Sequence, residues 1–242
     1  MNFVLDTHTH TIASGHAYST INEMVESAKE KALELLCITE HAPTMPGTCH
    51  VFYFDNLRVV RRDMEGIELL LGSETNILDY NGTIDLTEDT LRGLDIVIAS
   101  LHSPCITAGT KEENTNALIG AMKNPYVNII GHPDDSRFPV DYERLVLAAK
   151  ENHVLLELNN SSLNPKGFRA NAKENDLIML TLCKKYDVPI TLGSDAHIAD
   201  DVANFCYAKE LLAQTEFPSE LVMNTSTLKF KQFIQVKRNL IK

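Results

Sequence analysis

The sequence predicts an α/β fold of repeated β-then-α units, with a single parallel barrel favoured over an open sheet. Three observations predict it. Seven short apolar, β-rich runs alternate with segments of helical periodicity along the 242 residues. The runs are nearly unbroken in apolar residues, as strands buried on both faces of a parallel sheet must be. No low-complexity segment or Pro/Gly/Ser linker divides the chain, so one domain over residues 1–242 is expected.

In chain order the runs are Phe3-Val4-Leu5, Leu36 to Thr39, Ile67 to Leu71, Ile96 to Ala99, Val127 to Ile130, Val154 to Leu158 and Ile190 to Leu192. Between the first two, Thr20-Ile21-Asn22-Glu23 has the form of a capping box, and Ile21, Met24, Val25, Ala28 and Ala32 follow at helical spacing. Asp55 is placed to cap a helix through Met64, with Gly66 near its end. Asn81-Gly82, between Ile77-Leu78 and Ile84, reads as a tight hairpin. Further helices are expected over Glu113 to Lys123, Asp141 to Asn152, Glu174 to Tyr186 and Asp200 to Ala213. A last one runs from Thr227 to about Arg238 and buries Phe230, Phe233 and Ile234. Glu112-Glu113 and Asp200-Asp201 read as helix-start charges, and His153 as the end of a helix.

Composition narrows the function. The formal net charge of −11 disfavours a broad phosphate-backbone footprint, so a nucleic-acid polymer is not the expected partner. It suits a chain that holds cations: three divalent ions add +6 and bring it to −5. Five scattered cysteines without a Cys-x-x-Cys pair argue for reduced thiols in a cytoplasmic protein, not a disulfide framework or thiolate zinc site. No apolar run approaches the ~20 residues of a membrane span, and no signal peptide is evident.

Chemistry-bearing residues fall at one place in every unit. His8, His10 and His16 follow the first run, and Glu40-His41 the second. Glu74 ends the third, His102 the fourth and His132 the fifth, Asn159-Asn160 the sixth, and Asp195 with His197 the seventh. In a β/α barrel the carboxyl ends of the strands converge on one mouth. Seven of the nine histidines would lie there. Neutral imidazole is the commonest metal ligand. Seven imidazoles and two carboxylates exceed what one ion can use, so two or three ions are expected, with a carboxylate such as Glu74 bridging. Ligation by N and O alone suits Zn²⁺, Mn²⁺ or Fe²⁺. Asp6 is the candidate to orient an imidazole from behind, with a strand-end role as the alternative.

Adjacent divalent ions acidify water and clamp the oxygens of a phosphoryl group in an in-line displacement. The expected nucleophile is therefore a hydroxide on the metal, and no side chain stands out as the leaving-group acid. Basic residues should hold the remaining phosphate oxygen. Arg58, Arg61 and Arg62 are candidates, as are Lys166 and Arg169, and His50 could reach a substrate from its loop.

These motifs together resemble the PHP (polymerase and histidinol phosphatase) domain family. They are Asp6-Thr7-His8-Thr9-His10 with His16, Thr39-Glu40-His41, Gly72-Ser73-Glu74, His102, Gly131-His132-Pro133 and Gly193-Ser194-Asp195-Ala196-His197. The Ser14 to Thr20 segment and Glu157-Leu158-Asn159-Asn160-Ser161-Ser162 are most similar to its bacterial trinuclear-zinc phosphatase branch. The resemblance implies a distorted, TIM-like (β/α)7 barrel with three metal ions, zinc above manganese or iron. It implies one ion on His8, His10, Glu74 and Asp195, a second on Glu74, His102 and His132, and a third on His16, His41 and His197.

The expected activity is a metal-dependent phosphoesterase, foremost a phosphomonoesterase acting on a small-molecule phosphate. Histidinol-phosphate phosphatase and nucleotide phosphatase or exonuclease are alternatives within that class. A non-catalytic metal-binding accessory module is a further alternative. An amidohydrolase-type enzyme shares the barrel and His-x-His, but no strand end supplies the lysine it usually needs.

Overall fold

The computed structural model describes residues 1–239. Its strands are β1 (Leu5–Asp6), β2 (Leu35–His41), β3 (Asp63–Met64), β4 (Ile67–Asn76), β5 (Ile96–Ser100), β6 (Ile129–Ile130), β7 (Leu155–Asn159) and β8 (Ile190–Gly193). The helices are α1 (Ile21–Glu30), α2 (Val51–Asn56), α3 (Glu88–Arg92), α4 (Lys111–Met122), α5 (Tyr142–Asn152), α6 (Ala172–Tyr186), α7 (Cys206–Gln214) and α8 (Thr227–Asn239). Seven strands run parallel in the order β1-β2-β4-β5-β6-β7-β8, nearly closed into a barrel, and β3 pairs antiparallel with β4 as an excursion.

Side-chain alternation divides the apolar residues between two layers. Leu35 and Cys37 of β2 join Leu5, Ile96, Ile98, Ile129 and Leu155 inside the barrel. Leu36 and Ile38, one step out of phase, pack with the surrounding helices. Helix α8 stops the lower end, inserting Phe230 and Ile234 into the interior cluster. Each such side chain contributes about 1.5–3 kcal/mol on burial. Its Lys237 ammonium donates to the carbonyls of Met122, Asn124 and Val127 at 2.8–2.9 Å, fastening the plug to the floor.

No ladder joins β8 back to β1, and the buried amide of Asn224 fills that seam instead. Its Nδ2 donates to Leu5 O at 3.0 Å and Leu192 O at 2.8 Å, and its Oδ1 accepts from Leu192 N at 2.7 Å. Nearer the mouth the two chains meet directly, through Asp195 N to His8 O and His10 N to Ala196 O, each 2.9 Å.

Two expected helices are displaced. The one placed from Asp55 to Met64 is α2, which starts at Val51 and ends at Asn56. Asp55 accepts from Thr90 Oγ1 rather than capping, and left-handed Glu65 and Gly66 fold the following residues back as β3. The helix expected from Asp200 begins at Cys206, because Ala203 at φ 54° breaks the path. Asp200 and Asp201 thus sit in a 3₁₀ turn, not at a helix start. Thr20 and Glu23 form the anticipated capping box, and Ile77 bridges Ile84 around the Asn81-Gly82 turn. His153 ends α5 in the left-handed region, stacked 3.8 Å from the Phe233 ring. Among the described residues no helix is long and apolar enough to cross a membrane.

Candidate metal centre

Register carries the mouth residues inward. β2 and β4 pair His41 with Glu74, so both side chains project from one level of the barrel. Glu74 divides the imidazoles between its oxygens. Oε1 faces His132 Nε2 at 2.7 Å and His102 Nε2 at 3.1 Å. Oε2 faces His41 Nδ1 at 2.8 Å, His8 Nε2 at 3.3 Å and His10 Nε2 at 3.5 Å. Asp195 Oδ1 closes the other side, 3.4 Å from His10 Nε2 and 3.7 Å from His8 Nε2. The His16 ring lies against those of His41 and His197, with centroids 4.8 and 5.0 Å away. His10, His41 and His197 also bring one donor atom each within 4.8 Å of one another. All nine residues expected at the mouth therefore gather there. Backbone strain accompanies the gathering: His132 and Asp195 hold φ of 26° and 56°, where side chains are rarely tolerated.

The partners behind the rings settle which nitrogen faces inward. Ser14 Oγ donates to Glu40 Oε2 at 2.5 Å, so at His10 Nδ1, 3.1 Å away, it can only accept. Glu157 Oε1 lies 2.7 Å from His8 Nδ1, and a carboxylate likewise accepts. His8 and His10 thus face each other Nε2 to Nε2 at 3.0 Å, an approach that needs positive charge between the rings: a proton carried by His8 or, in its place, a metal cation. Asn76 Oδ1 fixes His102 in the same way at 2.7 Å, and the Asp195 carbonyl fixes His197 at 2.9 Å. His41 Nδ1 and Glu74 Oε2 are buried without a hydrogen bond although 2.8 Å apart, because the angle is wrong for one. Such orphaned atoms in a nest of N and O donors fit divalent ions.

The electrostatics are those of a pocket that attracts positive charge. Burial pushes the Glu74 carboxyl up, but His102, His8 and His41 outweigh it and hold it well below the usual carboxylate range. Burial also opposes ionisation of Asp195, yet His8, His10 and Arg169 hold it well below as well. Burial and the charges of His41 and His197 push His10 down, toward the neutral form a metal requires. Burial pushes His8 down too, but Glu157, Glu74 and Asp195 outweigh it and hold its imidazole well above the usual range, so an ion there has to displace a proton.

Other expected residues lie elsewhere. Asp6 accepts from the backbone N–H groups of His8, Ser194 and Ala203, so it staples β1 to the β8 end and orients no imidazole. Glu157 takes the orienting role, and sequence reasoning missed it. It stands out as the one charge inside the apolar run Val154 to Leu158, in phase with inward Leu155. Arg62 is spent on Asp95, at 2.6 Å, and on the carbonyls of Leu57 and Val60. His50 caps α2, accepting from Phe52 N at 3.2 Å, while Arg58 is exposed. None of these three lines the mouth cavity, which measures about 610 Å³. Arg169 does line it, donating from both Nη atoms to Asp195 Oδ2 at 3.1 Å.

Comparison with known proteins agrees with this arrangement. A protein from Caldicellulosiruptor bescii, named "Probable phosphatase", is 49% identical over 96% of this chain and 95% of its own length. Another so named, from Caldanaerobacter subterraneus subsp. tengcongensis, is 50% identical over 100% of this chain and 94% of its own. Among solved structures, histidinol phosphate phosphatase from Lactococcus lactis, complexed with zinc, L-histidinol and phosphate, shares the fold. Its TM-score is 0.62 at 20% identity, covering 88% of this chain and 94% of that one. The PHP domain family matches residues 6–163, more than half of the sequence. Together with the barrel and its histidine-lined mouth, these likenesses show that the chain belongs to the PHP domain family.

Proposed function

We propose that the chain is a metal-dependent phosphomonoesterase that hydrolyses a small-molecule phosphate ester. The observation that carries this reading is the facing pair of His8 and His10 Nε2 atoms, 3.0 Å apart beside Glu74 and Asp195, with His41 Nδ1 and Glu74 Oε2 orphaned next to them. Three divalent ions, zinc foremost, would be held by His8, His10, His16, His41, Glu74, His102, His132, Asp195 and His197, with Glu74 shared. Bound there, they supply acidified water and positive charge for the phosphoryl oxygens.

The chain's own residues prepare that chemistry. Glu157, Ser14 and Asn76 hold His8, His10 and His102 with Nε2 turned inward, so no reorganisation is needed when the donors are used. Arg169 is nearly buried and fixed by Asp195, Asn159 and Ser162, which aims a rigid fork at the cavity. A planar guanidinium suits phosphate oxygens in that position. The relatives named as phosphatases support the same reading.

The test couples elemental analysis to phosphate release from p-nitrophenyl phosphate. About three metal ions per chain with turnover, both lost in His10→Ala, is the expected result. Full metal loading without phosphate release from any phosphomonoester would overturn it.

A further inference from the structure

The mouth cavity is larger than a phosphate group needs. At about 610 Å³ it falls in the range of sites for drug-sized ligands. Besides the histidines it is lined by the apolar side chains of Met45, Leu101, Pro104 and Phe168. Phe168 is the anomaly among these. It is 73% exposed, on the segment between β7 and α6, where no core claims it.

Two guanidinium groups pack against this phenyl ring, which still leaves it largely exposed. The Arg137 Cζ lies 5.0 Å from the ring centroid and that of Arg169 lies 5.4 Å away. Their charges are already matched. Arg137 pairs with Asp135 through Nε at 2.7 Å and Nη2 at 2.5 Å, and Arg169 pairs with Asp195. With Arg137 matched by Asp135 and Arg169 committed beside Asp195 to the phosphate being cleaved, the wall offers an exposed aromatic ring and no further cation, which favours a neutral planar group over a second phosphate. Because Arg169 touches both Asp195 and the phenyl ring, this surface stands one guanidinium away from the metal centre.

We propose that Phe168, steadied by Arg137 and Arg169, is a specificity-determining residue that stacks on a planar, uncharged ring in the leaving group. The inference rests on the phosphomonoesterase reading and names its substrate class: phosphate esters whose leaving group carries an aromatic or heteroaromatic ring, in preference to open-chain phosphates. Ring-on-aromatic stacking is sequence- and substituent-tolerant, since every such ring presents a π-face.

Two measurements test this. The first is the ratio of kcat/KM for AMP to that for glycerol 3-phosphate in the metal-loaded protein. Phe168→Ala should lower that ratio about tenfold, mainly through KM for AMP, and Phe168→Tyr should restore it. An unchanged ratio in Phe168→Ala overturns the proposal. The second uses the absence of tryptophan from the sequence. In Phe168→Trp a single indole reports from the wall, and its fluorescence should be quenched on rapid mixing with AMP but not with glycerol 3-phosphate. An equal response to both, or none to either, also overturns it. Quenching by AMP without phosphate release from any ester would uphold the ring contact and defeat the phosphatase reading.

Discussion

Glu157 Oε1 lies 2.7 Å from His8 Nδ1, with both side chains fully shut away from solvent. The same carboxylate accepts from the backbone N–H of His132 at 2.8 Å, so one residue sets two metal-facing groups. Burial opposes its ionisation, but His8 and His132 overcome that and hold its carboxyl low. A β-carbon at Gly193 would collide with Glu157 Oε1 and with His8 Cβ, so the approach requires glycine there.

Glu157→Gln should weaken metal retention about 10–100-fold without unfolding the barrel. Competition with a chelator measures the retention, and far-ultraviolet circular dichroism monitors the fold. Unaltered affinity would mean that Glu157 only fills space.

Arg169→Lys keeps the charge but loses the two-pronged contact with Asp195 Oδ2. The turnover of p-nitrophenyl phosphate should fall about 10–100-fold in kcat/KM. Wild-type kinetics in this variant would remove Arg169 from phosphate binding.

Asn224→Ala should cost about 3 kcal/mol, because backbone groups of Leu5 and Leu192 lose their partner inside the protein. For a chain of this size that is a drop of about 6–12 °C in Tm, read by calorimetry. A smaller drop would show that β1 and β8 close the seam unaided.

Lys237 carries a pH signature. Burial pushes its ammonium down to about 8, against the pull of the three carbonyls it contacts. The unfolded chain holds that proton up to about 10.4. Between pH 8 and about 10.4 the unfolded state thus binds more protons, and this group's contribution to stability rises with pH. The gain is at most about 3 kcal/mol. Buried thiols such as Cys183, pushed up to about 12, act in the opposite direction. The measurement is therefore the stability difference between wild type and Lys237→Met at pH 7 and pH 10. It should move in favour of wild type at the higher pH, and a constant difference would refute the shift.

The barrel and the gathering of nine mouth residues were legible because each follows or ends an apolar run, and parallel strands bring such positions together. Helix limits were less so. Whether Asp55 or His50 caps α2 depends on Thr90, which claims the Asp55 carboxylate from a distant part of the chain. Arg62 looked free in sequence, yet the left-handed turn at Glu65 and Gly66 folds its segment against β4, where Asp95 takes it. Glu157 holds the orienting role that proximity in sequence suggested for Asp6. Asp6, beside the His pair, is held by backbone N–H groups, whereas Glu157 reaches His8 across 149 positions. Short-range order in a sequence cannot reveal which carboxylate a strand will turn inward from the far side of a barrel.

The seam between β1 and β8 also sets an order of events in the life of the chain. Asn224 Nδ2 reaches Leu5 O across 219 positions, among the longest loops this fold has to close. Contacts so distant in sequence form late and slowly. During synthesis, His8 and His10 emerge first, and Asp195 and His197 join them only at the end. A ribosome-bound fragment holding only the early strands has no complete ion cage to fill. On the proposed reading, the cage reaches its full set of donors only when the last β/α unit has docked.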